Sequence, residues 1–246
     1  MPIRTQPKRK NFVSVILGTY NEKENITRLI PLIESIFRQN EIRGEIVVVD
    51  DNSPDGTSNL VRKFGRKYGN VRLLWRPKKM GHASSLIDGY KFARGDVIMT
   101  MDVDFSHDAT QIPKFLNEID KGYDLVVGSR FMRDGGYEVK SFQTFKKKTI
   151  SSLGNMLIRF LSGVPVHDFT NSMRAVRRKV IDNINIESKT NSFFFEFIIK
   201  TYRKGFRIKE IPIYFKDRVA GTSKLKLGKQ AFKALVDLVK FTVLTR

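Results

Sequence analysis

Cysteine is absent from the 246 residues. That excludes disulfides, thiolate metal ligands and cysteine nucleophiles together, and it is compatible with a reducing compartment. Long apolar runs are missing too. No window approaches the roughly 20 uninterrupted apolar residues of a spanning helix, so membrane contact is expected to be peripheral or made through a partner. Neither G-x-G-x-x-G nor the P-loop pattern occurs, which argues against kinases, P-loop NTPases and dinucleotide oxidoreductases. Acid is scarce: 25 Asp and Glu stand against 45 Lys and Arg, a net charge of +20. Such a surplus favours an anionic partner, whether nucleic acid, an acidic membrane surface or a phosphorylated substrate. A nucleic-acid module calls for a basic stripe with interleaved aromatics, or a zinc or helix-turn-helix signature, and the sequence has none. The first eleven residues, MPIRTQPKRKN, are basic without the apolar stretch of a secretory signal and read as a flexible leader.

What is present alternates between two periods. Residues 12–17 (FVSVIL), 45–49 (EIVVV), 71–75 (VRLLW), 97–101 (VIMTM) and 124–127 (DLVV) are short apolar runs with strand character. Residues 25–39, 57–68, 82–93 and 112–118 between them have helical spacing. Strands buried on both faces and alternating with helices predict a doubly wound α/β domain with a mainly parallel sheet. Ligands in such sheets bind beyond the carboxyl ends of the strands. Farther on, residues 149–161 and 193–203 read as helices and 208–215 as a strand. The segment 229–245 reads as an amphipathic helix with a charged stripe at Lys233, Asp237 and Lys240. In the first helix, Ile150, Leu153, Leu157, Phe160 and Leu161 share one face. The domain expectation is a leader over 1–11, a catalytic domain over 12–227 and a C-terminal helix over 228–246.

The strand ends carry polar chemistry. Asp102 and Asp104, one residue apart at a strand end, can face the same way and suit a hard divalent cation, Mg2+ or Mn2+. Ser106 and His107 stand nearby, the histidine more in keeping with a supporting role than with a metal ligand. Tyr20, Glu22 and Asp51 offer a stacking ring and two carboxylates for a base and its ribose. Arg130, Arg218 and Lys224 are cations able to close on an anionic ligand. The stretch Ser-Pro-Asp-Gly is also an ordinary turn, with a helix cap expected at Thr57.

TYNE, VVVDDNSPDGT, DVDFSH, GSR, DFTNSMR and FKDRVAGTSKL, in this order and spacing, resemble the dolichol-phosphate mannose synthase family. These are inverting family 2 glycosyltransferases of GT-A fold, with bacterial polyprenyl-phosphate hexose synthases as relatives. The likeness runs from about Val13 to Leu227. It implies nucleotide contacts at Gly18, Tyr20, Glu22, Val49 and Asp51. It implies diphosphate and metal contacts at Asp102, Val103, Asp104 and Ser106, with Arg130, Arg218 and Lys224 around the phosphates. Lys147 and Ser151 are implied to meet a lipid-phosphate acceptor. Gly18 stands where the family usually has Pro, Ser106 where some members have Gln, and Lys147 where some have Arg. Asp168 and Glu196 are further carboxylates expected near the acceptor, unless they cap or pair with arginines. The resemblance implies a cytoplasmic enzyme, peripheral on a membrane or anchored by a partner subunit, using GDP-mannose or a UDP-hexose.

Overall fold

Aliphatic runs with β-branched residues build the sheet, and the inner strands over 13–19, 44–50, 97–100 and 125–129 bury both faces. The structure, a computed structural model, describes residues 11–139, 142–216 and 227–244. Its first half alternates β1 (Val13–Thr19), α1 (Lys23–Gln39), β2 (Gly44–Asp50), α2 (Thr57–Tyr68), β3 (Val71–Trp75), α3 (His82–Phe92), β4 (Val97–Thr100), α4 (Ile112–Asp120) and β5 (Leu125–Ser129). Then come β6 (Gly136–Tyr137), α5 (Phe142–Ser162), β7 (Arg174–Arg177), α6 (Arg178–Asn183), α7 (Phe193–Arg203), β8 (Ile208–Pro212), β9 (Tyr214–Phe215) and α8 (Leu227–Val239). A π-helical turn, Lys240–Leu244, follows. The main sheet runs β3-β2-β1-β4-β7-β5-β8, and β6 pairs with β9 in a small second sheet. Every main-sheet pairing is parallel except those of β7.

Side-chain alternation divides the core into two layers. Val13, Val15 and Leu17 pack with Ile46 and Val48 against Leu29, Ile33, Val61 and Phe115 of α1, α2 and α4. Ile16, Val47 and Val49 point the other way, toward Leu86 and Tyr90 of α3 and, with Leu125 and Val127, Phe193 and Phe197 of α7. Each such buried side chain is worth about 1.5–3 kcal/mol.

Four features differ from the sequence reading. The N-cap of α2 is Gly56, at φ +85°, and Thr57 is the first helical residue, its amide donating to Asp55 Oδ1 at 2.9 Å. The helix expected over 149–161 starts at Phe142. The strand expected over 208–215 breaks at Ile213, because its two halves pair in different sheets. The charged stripe of the last helix is not all solvated: Asp237 is buried, with Lys233 3.5 Å away. Leu238 and Phe241 face the core, and Leu235, Val236 and Val239 face outward. Of the leader, only Asn11 falls within the described residues.

Candidate active site

Register brings the polar strand ends to one edge. Thr19 lies opposite Asp50 and Ile16 opposite Thr100, so residues 18–22, 50–57 and 101–107 leave the sheet together. Antiparallel β7 completes the edge. Arg174 pairs with both Thr100 and Val127, so the lead-in 168–173 arrives where β4 and β5 depart.

On the β1–β2 side, Gly18 lies against α3. A Cβ there would sit 2.3 Å from Ser85 Oγ and 3.3 Å from His82 Nδ1. Asp51 is buried. Its Oδ1 accepts from Arg76 Nε at 2.6 Å, and its Oδ2 accepts from the Met80 and Gly81 amides at 2.8 and 3.2 Å. Arg76, also buried, reaches Ser84 Oγ and Asp88 Oδ2, each at 2.9 Å. This network ties residues 76–81 to the end of β2 and places Lys79 Nζ 3.9 Å above the Tyr20 ring. Glu22 caps α1 and accepts from Asn25 Nδ2 at 2.6 Å. Val49 and Val103 bury their side chains in the two core layers.

At the end of β4, Asp102 Oδ1 accepts from Ser172 Oγ at 2.8 Å and pairs with His82 Nε2 at 3.2 Å. Its amide donates to Nδ1 of buried His107 at 3.1 Å, so that nitrogen carries no proton. Burial raises the Asp102 carboxyl, but His107, His82 and Ser172 outweigh it and hold the group well below the usual carboxylate range. Burial likewise pushes the His107 imidazole down, against the fields of Asp102, Asp104 and Asp168. Asp104 Oδ1 accepts from the Ser106 amide at 3.1 Å and its hydroxyl at 2.5 Å across a turn in which Phe105 has φ +60°. No group of three or more His, Cys, Asp or Glu suited to a metal occurs among the described residues. Two carboxylates nevertheless fit a hard cation that takes its remaining ligands from water and phosphate.

On the β5 side, Arg130 is locked. Its Nε and Nη2 donate to Asp168 at 2.7 and 2.8 Å, and Nη2 also reaches Thr170 Oγ1 at 2.8 Å. The rings of Tyr137 and Phe215 lie 5.0 and 5.6 Å from its guanidinium carbon. Burial lowers the Arg130 pKa and Asp168 more than restores it. Ser151, on α5, meets the same cluster, its Oγ 3.3 Å from Thr170 Oγ1 and 3.4 Å from the Tyr137 hydroxyl. Thus Asp168 pairs with an arginine. Glu196 holds a different loop, accepting from the Glu187 and Ser188 amides at 2.8 Å each. Lys147 belongs to α5, but its side chain, like all of Arg218 and Lys224, lies outside the described residues. The described chain breaks off at Lys216, whose amide donates to the Ser106 carbonyl at 3.1 Å.

Comparison with known proteins gives this edge its setting. The family model described as Glycosyl transferase family 2 matches residues 14–184. The chain belongs to glycosyl transferase family 2. A dolichol-phosphate mannosyltransferase of Pyrococcus furiosus is 34% identical over 226 residues, covering 91% of this chain. The chain spans 61% of that relative's length. A polyprenol monophosphomannose synthase of Mycolicibacterium smegmatis is 33% identical, with 98% of this chain and 90% of the relative covered. Glucosyl-3-phosphoglycerate synthase of Mycobacterium tuberculosis, solved with Mn2+, UDP and glucosyl-3-phosphoglycerate, superposes with a TM-score of 0.71. Its identity is 18%, over 95% of this chain and 80% of that one. The same enzyme with Mn2+, UDP-glucose and phosphoglyceric acid gives 0.72 at 16% identity, over 95% and 80% of the two chains. The fold is GT-A.

Sequence reasoning missed several residues that shape the site of this family 2 transferase. Arg76, His82, Ser172 and Thr170 act through partners 8 to 70 positions away, and contacts at that separation leave no local pattern. Arg174 is the largest omission. Fully buried, it donates to the carbonyls of Asn171, Phe194 and Phe169 at 2.8 Å each, which fixes the loop carrying Asp168 and Thr170. Burial without a carboxylate partner in contact lowers its pKa to about 10.

Proposed function

We propose that this chain transfers mannose from GDP-mannose, with inversion, onto the phosphate of a polyprenol such as dolichol. The reading is carried by the meeting of the Asp102/Asp104 pair and the locked Arg130 on one sheet edge, in a chain aligned over nearly all its length with a polyprenol monophosphomannose synthase. Tyr20, Glu22 and Asp51, with Gly18 and the backbone of Val49, face the nucleotide. Asp104, braced by Ser106, and Asp102 would hold Mg2+ or Mn2+, which when bound supplies neutralisation of the departing diphosphate. Arg218 and Lys224 are expected beside the same phosphates. Arg130, Ser151 and Lys147 orient the acceptor. A phosphate monoester is largely ionised near neutral pH, its second pKa being about 6, so no strong base is required. Catalysis then rests on positioning and on charge complementarity with the leaving group.

An ionised lipid acceptor also accounts for the outer face of α5. Ile150, Leu153, Met156, Leu157 and Phe160 are exposed, Phe160 at 82%, and Lys146 and Lys148 lie at the N-terminal end. No helix among the described residues is long and apolar enough to cross a membrane. The face is suited to lie in the head-group layer of an anionic, cytoplasmic membrane surface. The domain over 12–227 would then work on the membrane. A donor screen with Mn2+ or Mg2+ and a short polyprenyl phosphate, scored by product mass, tests the reading. GDP-mannose should give a β-linked mannosyl lipid phosphate. A UDP-hexose product would change the donor, and transfer only to hydroxyl acceptors would overturn the proposal.

A further inference from the structure

The residues that lead into α3 reach two carboxylates of the edge at once. The Met80 and Gly81 amides donate to Asp51, and the next side chain, His82, places Nε2 3.2 Å from Asp102 Oδ1. Ser172 Oγ donates to the same oxygen at 2.8 Å. An ionised carboxylate only accepts, so Nε2 is the His82 nitrogen that carries a proton toward it. The second oxygen, Oδ2, lies 3.8 Å from His107 Nδ1, which already receives the Asp102 amide and has no proton to give. The imidazole of His82 is itself confined. The Phe194 ring lies 6.1 Å from it, and the Phe194 carbonyl is held by buried Arg174 at 2.8 Å. Nδ1 faces Gly18, where an added Cβ would come within 3.3 Å of it and would overlap Ser85 Oγ. That serine hydroxyl donates to the His82 carbonyl at 2.6 Å. Glycine at 18, where the family usually has proline, therefore leaves α3 the room to bring His82 to Asp102.

We infer that His82 is a positioning residue for Asp102, fixing the carboxylate together with Ser172 so that a divalent cation meets it already oriented. The inference rests on the cation assignment within the transfer reading and deepens it. His82 and Ser172 act through Asp102 and need not touch cation or donor. A carboxylate held through one oxygen by two partners has little freedom left to lose when the other oxygen is engaged. Partners of this kind typically change metal affinity by about 10–100-fold. His82 and Ser172 share one oxygen, so the lower end, about tenfold for either, is expected.

The experiment measures GDP binding by calorimetry in Mn2+ and again in EDTA, with UDP in its place if the donor proves to be a UDP-hexose. Only the Mn2+ arm contains the cation contact, so the difference between the arms isolates it. Wild type is compared with His82→Phe, which keeps a ring without a donor, His82→Gln, which returns an N–H of similar reach, and Ser172→Ala. His82→Phe and Ser172→Ala should each weaken binding about tenfold in Mn2+, equal to about 1.4 kcal/mol, and leave binding in EDTA unchanged. His82→Gln should bind like wild type in both arms. Should the urea midpoint of His82→Phe fall, His82→Leu takes its place. A donor-free variant at residue 82 that binds like wild type in Mn2+ would overturn the inference. So would an equal loss in EDTA, which would make His82 a structural or nucleotide contact. Product mass with GDP-mannose and a short polyprenyl phosphate separates the two readings. If wild type forms no mannosyl lipid while the Mn2+ arm behaves as expected, transfer falls and the positioning role stands. If product forms and the Mn2+ affinities agree, the positioning role alone falls. If Mn2+ does not strengthen nucleotide binding by wild type, the cation assignment falls and the positioning role with it.

Discussion

Replacing Asp168 by Asn removes one charge from the centre of the Arg130 cluster while keeping its shape. Asp168 is fully buried and accepts two guanidinium bonds at 2.7 and 2.8 Å, with two amides at 3.1 and 3.2 Å. Removing one member of a buried pair typically costs about 3–5 kcal/mol, because the other charge remains without compensation. Asn retains one acceptor oxygen, so the lower end, about 3 kcal/mol, is expected. For a chain of this length that corresponds to a fall in Tm of about 6–12 °C. The pH dependence gives a second check. Burial alone would raise the Asp168 carboxyl, but the charge and bonds of Arg130 outweigh it and hold it below its ordinary value. The stabilisation is therefore present above the unfolded pKa of about 3.9 and lost as pH falls through the lower folded value. Urea denaturation of wild type and Asp168→Asn should differ by about 3 kcal/mol at pH 7 and converge in acid. A difference below about 1 kcal/mol at pH 7, or one that pH does not alter, would refute the reasoning.

Gly18→Ala forces Ser85 Oγ from its position and breaks its 2.6 Å bond to the His82 carbonyl. The expected loss is about 1 kcal/mol, absent when Ser85→Ala is made first, and a double-mutant denaturation cycle reads the coupling. Phe160→Glu, on the outer face of α5, should reduce flotation with anionic liposomes at low salt and leave the urea midpoint unchanged, since the side chain is almost wholly exposed. Equal flotation by the two proteins would place the membrane contact elsewhere, and failure of wild type to float would point to an anchoring partner instead.

Strands β1 to β5 were legible because each is an aliphatic or β-branched run, buried on both faces in all but the edge strand β3, and their polar ends therefore fell on one edge. β7 was not legible. Its sequence RAVR reads as charged surface, yet Arg174 is buried because three backbone carbonyls satisfy it. Without β7, nothing in the spacing brings residues 168–173 to the edge, so an arginine partner for Asp168 was expected as an alternative, but its identity as Arg130 and the contact with Thr170 stayed hidden. The outward face of α5 was visible as periodicity, but periodicity alone does not distinguish a face that packs on the core from one that meets a membrane. The π-helical turn after α8 also had no sequence signal. It depends on Arg203, far away in sequence, donating to the Phe241 and Thr242 carbonyls at 2.6 and 2.8 Å.

The central claim is that the acidic turn after β4 acts in transfer and does not merely shape the fold. Asp104→Asn keeps an acceptor for the Ser106 amide and hydroxyl, so the turn should survive. Turnover of GDP-mannose with a short polyprenyl phosphate should fall by about a thousandfold, while the urea midpoint stays at the wild-type value. A folded Asp104→Asn protein with near-normal turnover would contradict it.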